Sequence, residues 1–227
     1  MQVLVTGGLG YIGSHTSVLL LEKGYDLVIV DDLSNSNEKV IENISQITNK
    51  VPVFEKIDLK DKESVSKLFN NYDFDGIIHF AAHKSVNESV SYPDKYFKNN
   101  VGSLENIIYE IQKLKKPMNF IFSSSCTVYG QADSMPINEG FELKKAESPY
   151  GQSKRKCEEI LENFHKAGHN FKNITLRYFN PIGAHPTSLI GELPIGIPEN
   201  LVPYITQTAI GKRDHLTVFG DDYDTND

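Results

Sequence analysis

The stretch Thr6-Gly7-Gly8-Leu9-Gly10-Tyr11-Ile12-Gly13 decides the fold of this chain. It follows the apolar run Val3-Leu4-Val5, which predicts a buried strand, and it leads into Ser14–Lys23, whose apolar residues predict a helix. Glycines lack a Cβ atom, so a turn built from them lets backbone N–H groups and a helix N-terminus approach a pyrophosphate. Strand, glycine turn and helix in this order therefore predict a dinucleotide site.

Beyond this turn the chain alternates between nearly continuous apolar strands and amphipathic helices. Further strands are predicted at 27–30, 51–57, 76–80 and 119–122. The alternation predicts an α/β fold, a doubly wound parallel sheet with strand order 3-2-1-4-5-6 and helices on both faces. Prolines and glycines interrupt the pattern after Asn180. We therefore expect a dinucleotide-binding domain at 1–180 and a partial substrate-binding lobe at 181–227.

Composition excludes several classes of function. A hydrophobic content of 39% with 23% charged residues, over 227 residues, is ordinary for a soluble globular protein. The net charge of −7 disfavours a nucleic-acid partner, which demands clustered cations. The first strand starts almost at Met1, leaving no room for a signal peptide, and no apolar run is long enough for a membrane span. With Cys126 and Cys157 the only cysteines, a cytoplasmic location is expected.

The second predicted strand ends in Asp31-Asp32. An acidic residue about 20 positions beyond the glycines accepts hydrogen bonds from the adenosine ribose hydroxyls. Its charge repels a 2′-phosphate, so this position predicts NAD rather than NADP as the cofactor.

The candidate reactive groups lie in two segments after the fourth strand. The fifth strand runs into Ser123-Ser124-Ser125, and Ser148-Pro149 then opens a helix with Tyr150 in its first turn. Tyr150 and Lys154 are four residues apart and share one helix face, where an ammonium lowers the pKa of a phenol that serves as a base. Tyr109 and Lys113 have the same spacing, but they lie late in a helix that precedes the serine segment. Placement therefore favours Tyr150.

Two levels of resemblance support this interpretation. The spacing Gly7, Gly10, Gly13 resembles the short-chain dehydrogenase/reductase superfamily. The ordered segments TGGLGYIGSH, DDLSNSN, FAAHKSVNES, KNNVGSL, FIFSSSCTVYG, SPYGQSK, LRYFNPIGAHP and GIPENLVPYI resemble the UDP-glucose 4-epimerase family along the whole chain.

The resemblance implies NAD-dependent interconversion of UDP-glucose and UDP-galactose through a 4-keto sugar, with three groups of site residues. The implied catalytic residues are Ser125, Tyr150 and Lys154. The implied NAD site comprises Gly7, Gly10, Tyr11, Ile12, Asp31, Asn35, Asp58, Leu59, Phe80, Ala81, Lys84, Asn99, Tyr150, Lys154, Tyr178 and Phe179. The implied UDP-sugar contacts are Ser125, Tyr150, Asn180, Asn200, Leu201 and Phe219.

The resemblance also concerns assembly and length. It implies a homodimer through the helix at 93–113 and the helix opened by Pro149, and an apolar stripe at Ile107, Ile108, Ile111 and Leu114 is the expected contact. Members of the family continue well beyond Asp227. A shortened lobe is expected to bind NAD yet to turn over UDP-sugars slowly.

Other interpretations stay open. One is another nucleotide-sugar 4-epimerase or a 4,6-dehydratase, although Cys126 and Val128 cannot supply the acidic pair that dehydration needs. Another is a catalytically impaired NAD-binding protein or fragment. A metal site at His165 and His169 is disfavoured because no acidic ligand is nearby, and no Gly-x-Ser-x-Gly elbow of a hydrolase is present.

Overall fold

The structure, a computed structural model, describes residues 1–218 and 220. Six parallel strands form one sheet in the order β3-β2-β1-β4-β5-β6, which confirms the predicted fold class and strand order. The strands are β1 (Gln2–Thr6), β2 (Asp26–Asp31), β3 (Val53–Lys56), β4 (Gly76–His79), β5 (Met118–Ser125) and β6 (Phe171–Tyr178). Because the strands are parallel, their carboxyl ends share one edge of the sheet.

Eight α-helices connect and cover the strands in the described residues. They are α1 (Tyr11–Glu22), α2 (Lys39–Thr48), α3 (Lys62–Asn71), α4 (Val86–Ser91), α5 (Pro93–Tyr96), α6 (Gly102–Lys113), α7 (Pro149–Lys166) and α8 (Leu201–Ala209). A π-helical turn at Phe97–Val101 joins α5 to α6, and a 3-10 turn at Cys126–Tyr129 follows β5. Among the described residues no helix is both long and apolar enough to cross a membrane.

Two hydrophobic layers hold the sheet between the helices. Successive strand residues point to opposite faces, so Val3 and Val5 pack with helices α1 and α2, whereas Leu4 packs with α3, α6 and α7. Both faces of the central strands β1, β2 and β4 are therefore buried, which explains why these strands are nearly continuously apolar, whereas the edge strands β3 and β6 carry exposed polar residues.

The apolar stripe on α6 lies inside the molecule, so the expected dimer contact was wrong. Ile107, Ile108 and Ile111 are at most 8% exposed and belong to the core, and Leu114 packs against them. Helical spacing marks a buried face without saying what covers it. Here the chain's own sheet covers it, and the homodimer stays a prediction from the family resemblance.

The region after Asn180 has little regular structure. In the described residues it holds α8 and one isolated bridge between Ala184 and Gly191. Several large apolar side chains there are exposed, among them Ile182, Leu193 and Ile195. This segment lies along the carboxyl edge of the sheet, where it forms part of a cavity wall.

Candidate active site

One cavity of about 560 Å³ lies at the carboxyl edge of the sheet. Residues that follow β1, β2, β4, β5 and β6 line it together with the segment 189–195. Ligands of open α/β sheets bind outside the carboxyl ends of the strands. The cavity therefore lies where such a fold binds a ligand.

The glycine turn forms one end of the cavity. Gly7 has a φ of +65°, and a Cβ atom there would lie 2.7 Å from the backbone nitrogen of Ala81. A Cβ atom on Gly13 would lie 2.2 Å from the Gly7 carbonyl oxygen, so the start of α1 could not pack on the turn. Gly10 precedes α1 without a capping side chain, which leaves the first N–H groups of the helix for an anion.

Asp31 braces this turn from the end of β2. Its carboxylate accepts hydrogen bonds from the Leu9 N–H at 3.1 Å, the Leu33 N–H at 3.0 Å and the Ser36 hydroxyl at 2.7 Å. The side chain lines the cavity although the residue is only 8% exposed. The neighbouring Asp32 accepts a hydrogen bond from the Ser34 N–H instead. A ribose diol that reached Asp31 would meet a fixed carboxylate.

Tyr150 and Lys154 lie opposite the glycine turn, in the first two turns of α7. The Ser148 hydroxyl accepts a hydrogen bond from the Gly151 N–H at 3.1 Å, so the predicted Ser148 cap and the helix start at Pro149 are confirmed. Both side chains line the cavity. The Lys154 ammonium donates to the Ser123 carbonyl oxygen at 2.7 Å and is 3% exposed.

Burial sets the protonation of this pair. It lowers the pKa of Lys154 to about 8, and the neighbouring Cys157 and Glu158 oppose that shift. Burial raises the pKa of the Tyr150 phenol, and the Ser125 hydroxyl opposes that shift. The two pKa values therefore move apart, because burial disfavours the charged form of each group, and the expected lowering of the pKa of the phenol by Lys154 is not seen.

Ser125 stands at the end of β5 beside the phenol. Its hydroxyl oxygen accepts from the Thr127 hydroxyl at 3.0 Å and from the Thr127 N–H at 3.3 Å. Because Thr127 donates to this oxygen, the Ser125 hydroxyl keeps its own proton for another acceptor, and Ser125 lines the cavity. Thr127 was missed from the sequence, where its position two residues after Ser125 was the available signal.

Comparison with known proteins agrees with this geometry. A family model described as GDP-mannose 4,6 dehydratase matches residues 4–227. A UDP-glucose 4-epimerase of Haemophilus influenzae is 49% identical over all of this chain and 67% of its own length. One of Schizosaccharomyces pombe is 49% identical over 99% of this chain and 64% of its own length. The chain belongs to both that model's family and the UDP-glucose 4-epimerase family.

Solved structures of the epimerase family are equally similar. The enzyme of Stenotrophomonas maltophila, crystallised with NAD and formylated UDP-arabinopyranose, superposes with a TM-score of 0.95 at 45% identity. All of this chain and 67% of that one are covered. This member of the epimerase family thus spans about two thirds of the length of its curated relatives.

The cavity of this epimerase-family chain collects nearly all of the predicted site residues. Every residue predicted for NAD lines it, as do Ser125, Asn180 and Asn200. Leu201 does not line the cavity, contrary to expectation: it is the first residue of α8 and is 64% exposed. Phe219 lies outside the described residues.

Glu192 is a cavity residue that sequence reasoning did not find. Its carboxylate lies 3.3 Å from the Lys84 ammonium and accepts a hydrogen bond from the Asn200 amide at 2.5 Å. The Glu192 side chain is 10% exposed. No local pattern marks this residue, because its partners are distant in sequence.

The two histidines considered for a metal serve structural roles. His165 Nδ1 lies 2.9 Å from the Phe171 carbonyl oxygen, and the His169 ring stacks on Phe164 at 4.1 Å. Within residues 1–218 and 220, no three His, Cys, Asp or Glu side chains are grouped to hold a metal ion.

Proposed function

We propose that this protein is an NAD-dependent epimerase acting at C4 of a UDP-hexose, interconverting UDP-glucose and UDP-galactose. The observation that carries the proposal is the Tyr150–Lys154 pair, whose lysine is buried and which lines the same cavity as the glycine turn and Asp31. The epimerase relatives and the solved relative with NAD and a UDP-sugar support it.

The NAD pyrophosphate fits the uncapped start of α1, since Gly7, Gly10 and Gly13 keep side chains out of that space. Asp31 and Asn35 are proposed to hold the adenosine ribose, and Asp58 and Leu59 to flank the adenine. The rest of the NAD site is proposed to be lined by Phe80, Ala81, Lys84, Asn99, Tyr178 and Phe179. Bound there, NAD supplies the acceptor and donor of the C4 hydride.

The chain's own residues move the proton. Tyr150 is proposed to take the proton from the sugar O4, while the Ser125 hydroxyl bonds the same oxygen and relays that proton. The Lys154 ammonium stabilises the phenolate that does this. Loss of the O4 proton with the C4 hydride leaves a 4-keto sugar. Tyr150 returns the proton after the sugar has presented its other face.

Epimerisation is favoured over dehydration by the surroundings of Ser125. Elimination of water requires an acid and a base beside the hexose. The cavity residues that flank Ser125 in sequence are Ser124, Cys126 and Thr127, none of which is a carboxylic acid. Asp31, Asp32, Asp58 and Glu192 supply the carboxylates of the wall, and the first three belong to the adenosine end.

The sugar end of the cavity is proposed to be formed by Asn180 and Asn200, with Ser125 and Tyr150 at the reacting atoms. We propose that residues 1–180 form the NAD-binding unit and that 181–227 contribute to sugar binding. A homodimer and a cytoplasmic location stay predictions. Light scattering on the full-length protein tests the homodimer.

Proton NMR of the full-length protein mixed with UDP-galactose tests the function. We expect the anomeric signal of UDP-glucose to grow to equilibrium with no net consumption of NAD. A 4-keto-6-deoxy product would instead identify a dehydratase. Binding of NAD in calorimetry without any sugar conversion would contradict an epimerase.

A further inference from the structure

Glu158 lies on the same face of α7 as Tyr150 and Lys154. The three residues are four positions apart, so each stands one turn beyond the last. Glu158 does not line the cavity and cannot touch a ligand there. Its side chain is nevertheless only 12% exposed. Burying a carboxylate costs free energy unless hydrogen bonds or an opposite charge compensate it, so Glu158 needs such partners within the protein.

Two neighbouring strands supply that partner. The Ser124 hydroxyl on β5 donates to Glu158 Oε1 at 2.5 Å. Arg177 on β6 donates from Nε to the same oxygen at 3.1 Å and from Nη2 to Oε2 at 2.8 Å. Ser124 and Arg177 are paired across the two strands, so one carboxylate ties both to the helix. The Arg177 guanidinium also lies 4.8 Å from the Tyr129 ring centroid, which fixes it further.

We infer that Glu158, Arg177 and Ser124 form a positioning clamp that sets where Tyr150 and Lys154 stand relative to Ser125. Ser124 immediately precedes Ser125, so the clamp ties the strand residue next to the reacting hydroxyl to the helix that carries the phenol. This inference rests on the proposed roles of Tyr150 and Lys154. A bidentate arginine–carboxylate pair restricts geometry as well as adding energy, and small misplacements of reacting groups are costly in rate.

The clamp also affects the charge of Lys154. The titratable groups around that ammonium are Tyr150, Cys157 and Glu158 on α7 and His79 on β4. Burial holds the pKa of His79 at about 3, and burial raises the pKa of Cys157 to about 12, so both are neutral. Glu158 is then the anion that favours the ammonium, and its loss lowers the pKa of Lys154.

The test is Glu158→Gln in the full-length protein, with Glu162→Gln as the matched control. Glu162 lies one turn further along α7, and its 62% exposed side chain pairs with Lys166 at 2.5 Å. We expect Glu158→Gln to lower kcat by about 10- to 100-fold with KM unchanged, and to move the alkaline limb of the kcat profile to lower pH. Glu162→Gln should leave kcat, KM and the pH profile unchanged.

Two milder variants separate geometry from charge and guard against misfolding. Arg177→Lys keeps a cation but loses the planar fork, so kcat should fall while the alkaline limb stays in place. Ser124→Ala removes one donor and keeps the ion pair, so its loss of kcat should be smaller.

Hydrogen exchange tests the clamp without turnover. The amides of residues 150–157 should exchange faster in Glu158→Gln and at the wild-type rate in Glu162→Gln. If the wild type does not convert UDP-sugars, the proposed function fails, and hydrogen exchange alone then tests whether the clamp holds α7 in place. Unchanged exchange, or faster exchange with unchanged kcat in an active enzyme, would overturn the inference.

Discussion

Helices α6 and α7 carry the same tyrosine–lysine spacing in opposite surroundings. On α6, Tyr109 is 45% exposed, and the ammonium groups of Lys62 and Lys113 lie 3.9 and 4.2 Å from its ring centroid. Lys113 also pairs with Glu110. On α7, Lys154 is 3% exposed and both members of the pair line the cavity. The position of the pair within its helix makes the difference, because Tyr150 and Lys154 lie in the first two turns of α7 whereas Tyr109 and Lys113 lie at the end of α6.

Replacing the lysine of each pair should give the largest difference in kcat between α6 and α7. Lys154→Met deletes the cation beside the phenol and should lower kcat by about 100-fold or more. Lys113→Met removes the partner of the buried Glu110, but neither residue lines the cavity, so the kcat of the folded variant should match the wild type. Initial rates of UDP-galactose conversion by the full-length protein at pH 7 measure both. Equal losses in the two variants would contradict the assignment.

The pH dependence of kcat in the wild type further distinguishes the pair on α7 from the pair on α6. Lys154, with its pKa lowered by burial to about 8, is charged below that pH and neutral above it. Because the ammonium is the active form, kcat should fall by about tenfold per pH unit above pH 8. Lys113→Met should show the same limb as the wild type. A kcat that stays level to pH 10 would count against the buried lysine.

Asp31 and Asp32 repeat the contrast between adjacent identical residues. Both line the cavity, but Asp31 accepts three hydrogen bonds, one of them from the glycine turn, whereas Asp32 accepts one from the Ser34 N–H. Asp31→Asn removes the charge that repels a 2′-phosphate, so the ratio of NAD to NADP affinity should fall by about tenfold. Asp32→Asn should change it less. Calorimetry with both nucleotides measures the ratio. Equal affinities in the wild type would contradict the proposal that Asp31 binds the adenosine ribose.

Tyr109 should matter slightly for stability and not for activity. Tyr109→Ala removes contacts of two ammonium groups with one exposed ring, so it should lower the free energy of unfolding by about 0.5–1 kcal/mol. Urea denaturation of the full-length protein measures this change. A loss of kcat in a folded Tyr109→Ala variant would mean that the α6 pair serves the reaction after all.

Features set by local sequence were predictable. The glycine turn, the end of β2 at Asp31 and the cap at Ser148 depend on a few consecutive residues. Local sequence patterns could not show which part of the molecule each apolar helix face packs against. The stripe around Ile107 packs on the chain's own sheet, and Leu201 does not line the cavity. Glu158 finds its partners only when β5 and β6 are side by side.

The most direct test follows reduced nicotinamide by its absorbance after rapid mixing of the NAD-loaded full-length protein with UDP-galactose. Tyr150→Phe and Tyr109→Phe are compared with the wild type. The account predicts that reduction is slowed by about 10²–10⁴-fold in Tyr150→Phe, and that Tyr109→Phe reacts at the wild-type rate. Reduction at the wild-type rate in Tyr150→Phe, or its loss in Tyr109→Phe, would contradict the assignment of the buried pair on α7.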